Sequence, residues 1–190
     1  NNNDNNCGEE DYYNAFSYAG EFDSERVFEY QLNAFDVLGN AGISNYSLTY
    51  SYLLPGNFRS IESPMKTAKL IIFDYTLSQP ASLIISESNL EQNDIGMNSL
   101  SNQVNIFGQN INFDNPANIR FSSTKYEQLD EIHLKICKKN QHGNWEVIES
   151  NVYGDFIQAE IDSIGSYALF YIDDFDTSIP HKFDLIGCFP

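Results

Sequence analysis

From residue 46 to residue 54 the side chains change character at every step: Tyr46, Leu48, Tyr50, Tyr52 and Leu54 are separated by Ser47, Thr49 and Ser51. A period of two belongs to an extended strand, whose successive side chains point to opposite faces. The same period returns in residues 27–35, where Phe28, Tyr30, Leu32 and Ala34 share a face. It returns again in 131–138, where Ile132, Leu134 and Ile136 alternate with His133, Lys135 and Cys137, and in 155–161 through Ile157, Ala159 and Ile161. Residues 68–75 and 82–86 are near-continuous apolar runs, the pattern of strands covered on both faces. Segments 104–107, 117–122, 145–150 and 166–172 complete the set. Apolar spacing of three and four persists nowhere beyond about two turns. One short helix is expected, near residues 11–18. The expected fold class is therefore all-β, an antiparallel β-sandwich built as one large or two small packed sandwich subdomains.

Turn chemistry divides the last third into a meander. Asn140-Gln141-His142-Gly143, Tyr153-Gly154 and Ser163-Ile164-Gly165 each supply a glycine where a tight connection needs one. An internal echo links Gln79-Pro80-Ala81-Ser82-Leu83-Ile84-Ile85-Ser86 with Asn115-Pro116-Ala117-Asn118-Ile119-Arg120-Phe121-Ser122. In both copies a proline, which cannot donate to a ladder, stands just before a strand. The copies fit two equivalent edges of one sandwich or the starts of two related subdomains. The expected organisation is a polar Asn-rich arm (1–11), a first β subdomain (12–107), a second (108–176) and a strand-like C-terminal segment (177–190).

Charge excludes some partners. Asp and Glu number 27 against 10 Lys and Arg, a net charge of −17, so phosphate backbones and anionic lipid are repelled. Hydrophobic residues at 42% and aromatics at 14% supply ample core, which argues against disorder of the whole chain. No apolar run approaches the roughly 18 residues that span a bilayer, and nothing near Asn1 resembles a leader's apolar segment. Scarce lysine, abundant tyrosine and asparagine, and the glycosylation sequon Asn45-Tyr46-Ser47 point to a mature extracellular or cell-surface chain with its leader removed. Cys7, Cys137 and Cys188 form no disulfide framework; one pair with one free thiol, or three buried thiols, fits equally, and a Cys7–Cys188 bridge would tie both ends to the body.

Candidate chemistry is sparse. Asp173, Asp174 and Asp176 cluster after the last strong strand and could offer carboxylates to Ca²⁺, or form a solvated acidic loop; no other cofactor is expected. They lack the glycine and distal glutamate of an EF-hand loop. His133 is expected at the surface beside Lys135, and neither His142 nor His181 is flanked by a nucleophile. Serine elbows, phosphate loops and paired metal histidines are absent from the sequence. Trp145 is expected to anchor the sandwich core, with carbohydrate stacking as the alternative.

Gly108, Phe113-x-x-Pro116, Ile119-x-Phe121, Ile132-x-Leu134-x-Ile136, Gly143-Asn144-Trp145, Ile157-x-Ala159-x-Ile161 and Gly165-x-Tyr167-Ala168-Leu169 follow one another in order. This succession, over residues 108–171, resembles the β-sandwich of GAIN-type domains of adhesion receptors and similar bacterial surface modules. The cysteines that pair around the tryptophan in that family are missing, and His181-Lys182-Phe183 holds no Ser or Thr nucleophile, so self-cleavage is not implied. The resemblance implies an extracellular interaction module.

The leading functional expectation is a non-enzymatic structural subunit of a surface filament or layer, self-assembling by strand addition. The apolar C-terminal segment is the candidate donor, with Phe183 and Leu185 at two-residue spacing and Phe189 continuing that face. The alternative is a monomeric adhesion or receptor ectodomain that binds a protein or glycan. A secreted carbohydrate-active enzyme is the third, because carboxylate pairs meet only in three dimensions.

Overall fold

The computed structural model describes residues 25–35, 41–90, 98–126 and 128–172. Its strands are β1 (Arg26–Phe35), β2 (Ala41–Leu53), β3 (Arg59–Glu62), β4 (Ala68–Ile72), β5 (Ala81–Ser88), β6 (Asn98–Ser99), β7 (Gln103–Gln109), β8 (Ala117–Ser122), β9 (Leu134–Lys139), β10 (Trp145–Val147), β11 (Ser150–Tyr153), β12 (Phe156–Ile161) and β13 (Gly165–Tyr171). Two sheets pack face to face. One has the order β1-β2-β5-β7-β13-β9-β10, with β6 also pairing β13; the other runs β11-β12-β8-β4-β3. Every pairing is antiparallel. The all-β sandwich expected from the alternation is the fold observed.

Alternation places the core. Leu83 and Ile85 of β5, Val104 and Ile106 of β7, and Tyr167 and Leu169 of β13 face Leu70 and Ile72 of β4, Ile119 and Phe121 of β8, and Ile157, Ala159 and Ile161 of β12 in one buried cluster. That cluster draws on residues before and after position 108, and β7 itself runs through it. Residues 12–107 and 108–176 are thus not separate packing units, because β4 pairs β8 in one sheet while β7 joins β5 to β13 in the other. The two echo segments become β5 and β8, each third in its sheet order and starting directly after its proline. They are interior strands of opposing sheets rather than edges.

In β2 the faces are reversed from the simplest reading. Thr49, Ser51 and Leu53 are buried and lie in register with the core residues Ile85, Leu83 and Ala81, which puts the hydroxyl side of the strand toward the other sheet. The Thr49 hydroxyl crosses the sandwich and donates to the Glu62 carbonyl of β3 (2.8 Å). Leu48 and Tyr50, on the opposite side, are buried as well. Residues 145–150 do not form one strand: β10 ends at Val147 in the larger sheet and β11 begins at Ser150 in the smaller, so the chain changes sheets at Ile148 and Glu149.

Candidate interaction surfaces

Among the described residues four strands end the two sheet orders, and they differ in length. β10, β11 and β3 have 3, 4 and 4 residues, whereas β1 has 10. Short edges offer little ladder to a passing chain. β3 is guarded further: the Thr49 hydroxyl takes its Glu62 carbonyl, and the Glu25 carboxylate accepts from the Glu62 N–H. Desolvation against the strand raises the Glu25 carboxyl above the usual range, and the neighbouring Glu62 charge adds to the rise, while that hydrogen bond and the charges of Arg59 and Lys69 oppose it. β1 contains no proline, and its charges are Arg26 and Glu29. Its register with β2 runs from Arg26↔Tyr50 to Phe35↔Ala41, but β5 meets β2 only from Leu48 onward. Beyond that point, β1 and β2 continue as a two-stranded ribbon.

The outer face of the larger sheet carries a second, smaller apolar cluster. Cys137, Ala168 and Phe170 are buried there, with Leu90, Trp145, Val147 and Ile172 packed around them. Trp145 is tilted against Phe170 with ring centroids 5.2 Å apart, and Lys139 Nζ lies 5.7 Å from its ring. The expectation of Trp145 as an anchor between the sheets is corrected: it faces outward, opposite Lys139 in β9, and is only half-buried. Trp145→Ala is accordingly expected to cost about 1–2 kcal/mol in urea denaturation, below the roughly 3–5 kcal/mol of an emptied core aromatic site. Beside this cluster Asn105, 8% exposed, collects a polar network. Its Oδ1 accepts from Gln103 Nε2 (2.5 Å) and the Ser166 hydroxyl (2.7 Å), and its Nδ2 donates to Ser88 Oγ (3.2 Å).

Four of the connections that cross between sheets gather at one end of the sandwich. Leu53 pairs with Ala81, Ser82 with Gln109, Ile161 with Ala117 and Arg59 with Ile72, so residues 54–58, 73–80, 110–116 and 162–164 leave the sheets on the same side. Hydrogen bonds to backbone carbonyls lock the first three together. Gly56 N–H donates to Asp74 O (3.0 Å), Asp114 N–H to Thr76 O (2.9 Å), and Asn115 Nδ2 to Tyr75 O (2.8 Å). Phe58 is 59% exposed and Tyr75 58% exposed. Phe73 bridges them, edge-on to Phe58 at 6.2 Å and parallel to Tyr75 at 5.3 Å with 3° between the ring planes.

Farther along this end a cavity of about 340 Å³ is lined by Pro116, Lys138, Ile148, Glu160, Ile161, Asp162 and Tyr167. The Lys138 ammonium donates to Ser163 Oγ (2.6 Å) and to Asp162 Oδ1 (3.5 Å), and Ser163 Oγ donates to the same carboxylate oxygen (2.7 Å). The Tyr167 hydroxyl donates to Ser163 O (2.5 Å), and burial pushes its pKa far up, with the Asp162 charge adding to the rise. The Ser163 hydroxyl holds the Asp162 carboxyl below the usual range, and Lys138 reinforces it. A depressed carboxyl contributes stability above its unfolded pKa and loses it as pH falls through the folded value. Asp162→Asn is therefore expected to lower stability slightly at neutrality, a difference that disappears as pH falls below about 4, the ordinary aspartate range, so that the acid limb of a stability-versus-pH curve is flatter.

The residues singled out from sequence fall as follows. Asn45 is exposed on β2, in register with Gln31 of β1. Cys137 is buried in the outer cluster, whereas Cys7 and Cys188 lie outside the described residues. Asp173, Asp174 and Asp176, the assembly residues Phe183, Leu185 and Phe189, and the helix expected near 11–18 lie outside them too. Among the described residues no three His, Cys, Asp or Glu side chains gather as metal ligands. His133, expected at the surface, is half-buried: its Nδ1 lies 2.9 Å from the Ile172 carbonyl and its ring 5.4 Å from that of Tyr171. The aromatic cluster at the crossing end was not anticipated. Phe58 had a signal in its turn-rich stretch beside Pro55-Gly56, whereas Phe73 and Tyr75 fall in the strand expected over 68–75, which ends instead at Ile72 because the chain turns there toward the other sheet. In comparisons with known proteins, no family model and no curated protein matches this chain.

Proposed function

We infer that this chain is an extracellular structural module of a surface filament or layer whose copies join by adding a strand to the β1 edge. The observation that carries the reading is the contrast among the strands that end the sheets: three are short, and β1 is 10 residues long, without proline or lysine. A long edge lacking such guards is a template for pairing with another chain. The donor in this reading is the C-terminal segment bearing Phe183, Leu185 and Phe189. The extracellular setting and the GAIN-like resemblance belong to the same reading. An N-glycan on Asn45 would stand off the face of the ribbon, since strand side chains project perpendicular to the sheet, and would leave its edge open.

Sedimentation velocity on the full chain, over a concentration series, tests this. Association is expected for the wild type. Val27→Lys combined with Gln31→Lys is expected to yield monomers with an unchanged circular dichroism spectrum. A wild type that stays monomeric throughout, or a double variant that associates as before, overturns the reading. Removing residues 181–190 tests the donor separately: a folded chain that no longer associates supports donation, and a truncated chain that unfolds or still associates removes it.

A further inference from the structure

We propose that the crossing end of the sandwich is a binding site for a neutral polysaccharide, with sugar rings stacking along Phe58, Phe73 and Tyr75 and the chain running on toward the cavity beside Pro116 and Asp162. Two independent features of the surface lead there. The first is a set of rings that packing does not explain. Phe58 and Tyr75 leave more than half their area in water, although alternation buries the aromatic Phe121 and Tyr167 completely. These exposed rings are not on a loose loop: bonds from Gly56 to Asp74, from Asp114 to Thr76 and from Asn115 to Tyr75 fix them in place. A rigid aromatic surface loses little conformational entropy on binding and presents flat apolar area to a flat apolar partner. The C–H face of a pyranose is such a partner.

The second feature is the cavity, whose volume of about 340 Å³ falls at the lower end of small-ligand pockets. The chain links it to the rings: Asn115 bonds the Tyr75 carbonyl, and the next residue, Pro116, lines the cavity. Its lining combines the apolar Pro116 and Ile148, over the buried Ile161 and Tyr167, with the polar Lys138, Glu160 and Asp162. Apolar area with donors and acceptors beside it suits a ring that is apolar on its face and hydroxylated around its edge.

Charge selects among polymers. Among the described residues Lys138 is the one cation lining the cavity, and it is engaged by Asp162 and Ser163. Asp74 and Asp114 stand beside the aromatic rings, and the chain as a whole carries −17. Sulfated or uronic polymers would meet uncompensated negative charge, so the fitting ligand is an uncharged one. Neutral hexose polymers satisfy both the stacking geometry and the electrostatics.

The test is a binding series with the intact chain against immobilised neutral β- and α-glucans, mannan and xylan, with alginate and heparin as anionic comparators. Retention on at least one neutral polymer, insensitive to salt, is expected. Tyr75→Ala and Phe58→Ala are each expected to weaken it roughly tenfold without lowering the melting temperature. Phe107→Ala, an exposed ring on the outer face of the larger sheet, is expected to leave binding unchanged. No retention on any neutral polymer, equal retention on heparin, or binding indifferent to Tyr75 and Phe58 would overturn the proposal. So would competition by a protein partner alone, which would make these rings a protein-docking surface. The lysine substitutions on β1 are expected to leave glycan retention intact, so failure of assembly and failure of this site are read separately.

Discussion

Phe121→Ala is expected to destabilise the protein by roughly 3–5 kcal/mol, the usual cost of emptying a buried aromatic site. Phe121 is fully buried on β8, an interior strand that pairs with β12 through Ile157 and with β4 through Ala68. Neither neighbouring strand can move inward to fill the space, because both are held in register by the same β8 backbone. The vacancy would therefore persist as a cavity between the sheets. A loss of this size is a large fraction of the about 5–15 kcal/mol that separates folded from unfolded states in domains generally. Chemical denaturation followed by circular dichroism measures it. Phe121→Leu, which keeps most of the volume, is expected to cost about 1.5 kcal/mol or less. Phe107→Ala, at an exposed ring, is expected to stay within about 0.5 kcal/mol of the wild type. A Phe121→Ala variant as stable as Phe107→Ala would mean that β8 does not sit between well-packed sheets.

How far the sequence carried the fold can be argued from β2 and β8. In β8 the apolar positions Ala117, Ile119 and Phe121 alternate with Asn118, Arg120 and Ser122, and the side that the pattern makes apolar is the side that faces the core. In β2 the alternation is even clearer, yet it marks the outer face. Both sides of β2 are buried near its middle, and the inner side must also serve β3, whose Glu62 carbonyl takes the Thr49 hydroxyl. Small hydroxylated residues suit that crossing, and pattern alone cannot separate a polar position in water from one satisfied across a sandwich. Trp145 failed in the converse way. A lone tryptophan after a turn reads as core, but the parity of β10 against β9 sends it to the outer face, where Phe170 and Lys139 receive it.

The surface at the crossing end was illegible for a different reason. Phe58, Tyr75, Pro116 and Asp162 lie in four separate connections, and no local spacing relates them. They share one end because Leu53 pairs with Ala81, Ser82 with Gln109 and Ala117 with Ile161, which brings four sheet-crossing loops to that end. Register is a long-range property. The edge at β1 was half legible, since its alternation was evident, but its place at the end of the sheet order depends on the partners of every other strand.

Gly108→Ala is expected to be the most damaging alanine substitution among the described glycines, costing about 3 kcal/mol, at the upper end for overpacking. Gly108 is in register with Leu83, between β7 and β5, and continues the inward parity of Val104 and Ile106. A methyl group built there would overlap the Ile111 side chain and the carbonyl oxygen of Ser82. Ile111 could rotate away at modest cost. The Ser82 oxygen belongs to the backbone of β5 and is fixed by the β2 and β7 ladders on either side, so relief requires the two strands to part. Space, rather than a left-handed backbone, is what reserves this position for glycine. The double variant Gly108→Ala/Ile111→Ala separates the two obstacles. If the side chain were the whole obstacle, the double variant would match Ile111→Ala alone. Because the backbone oxygen remains, it is expected to stay clearly less stable than Ile111→Ala in urea denaturation, with faster amide exchange along β5 and β7. A Gly108→Ala chain as stable as the wild type would show that β5 and β7 do not approach this closely, and would remove the support that their register gives to the loops at the crossing end.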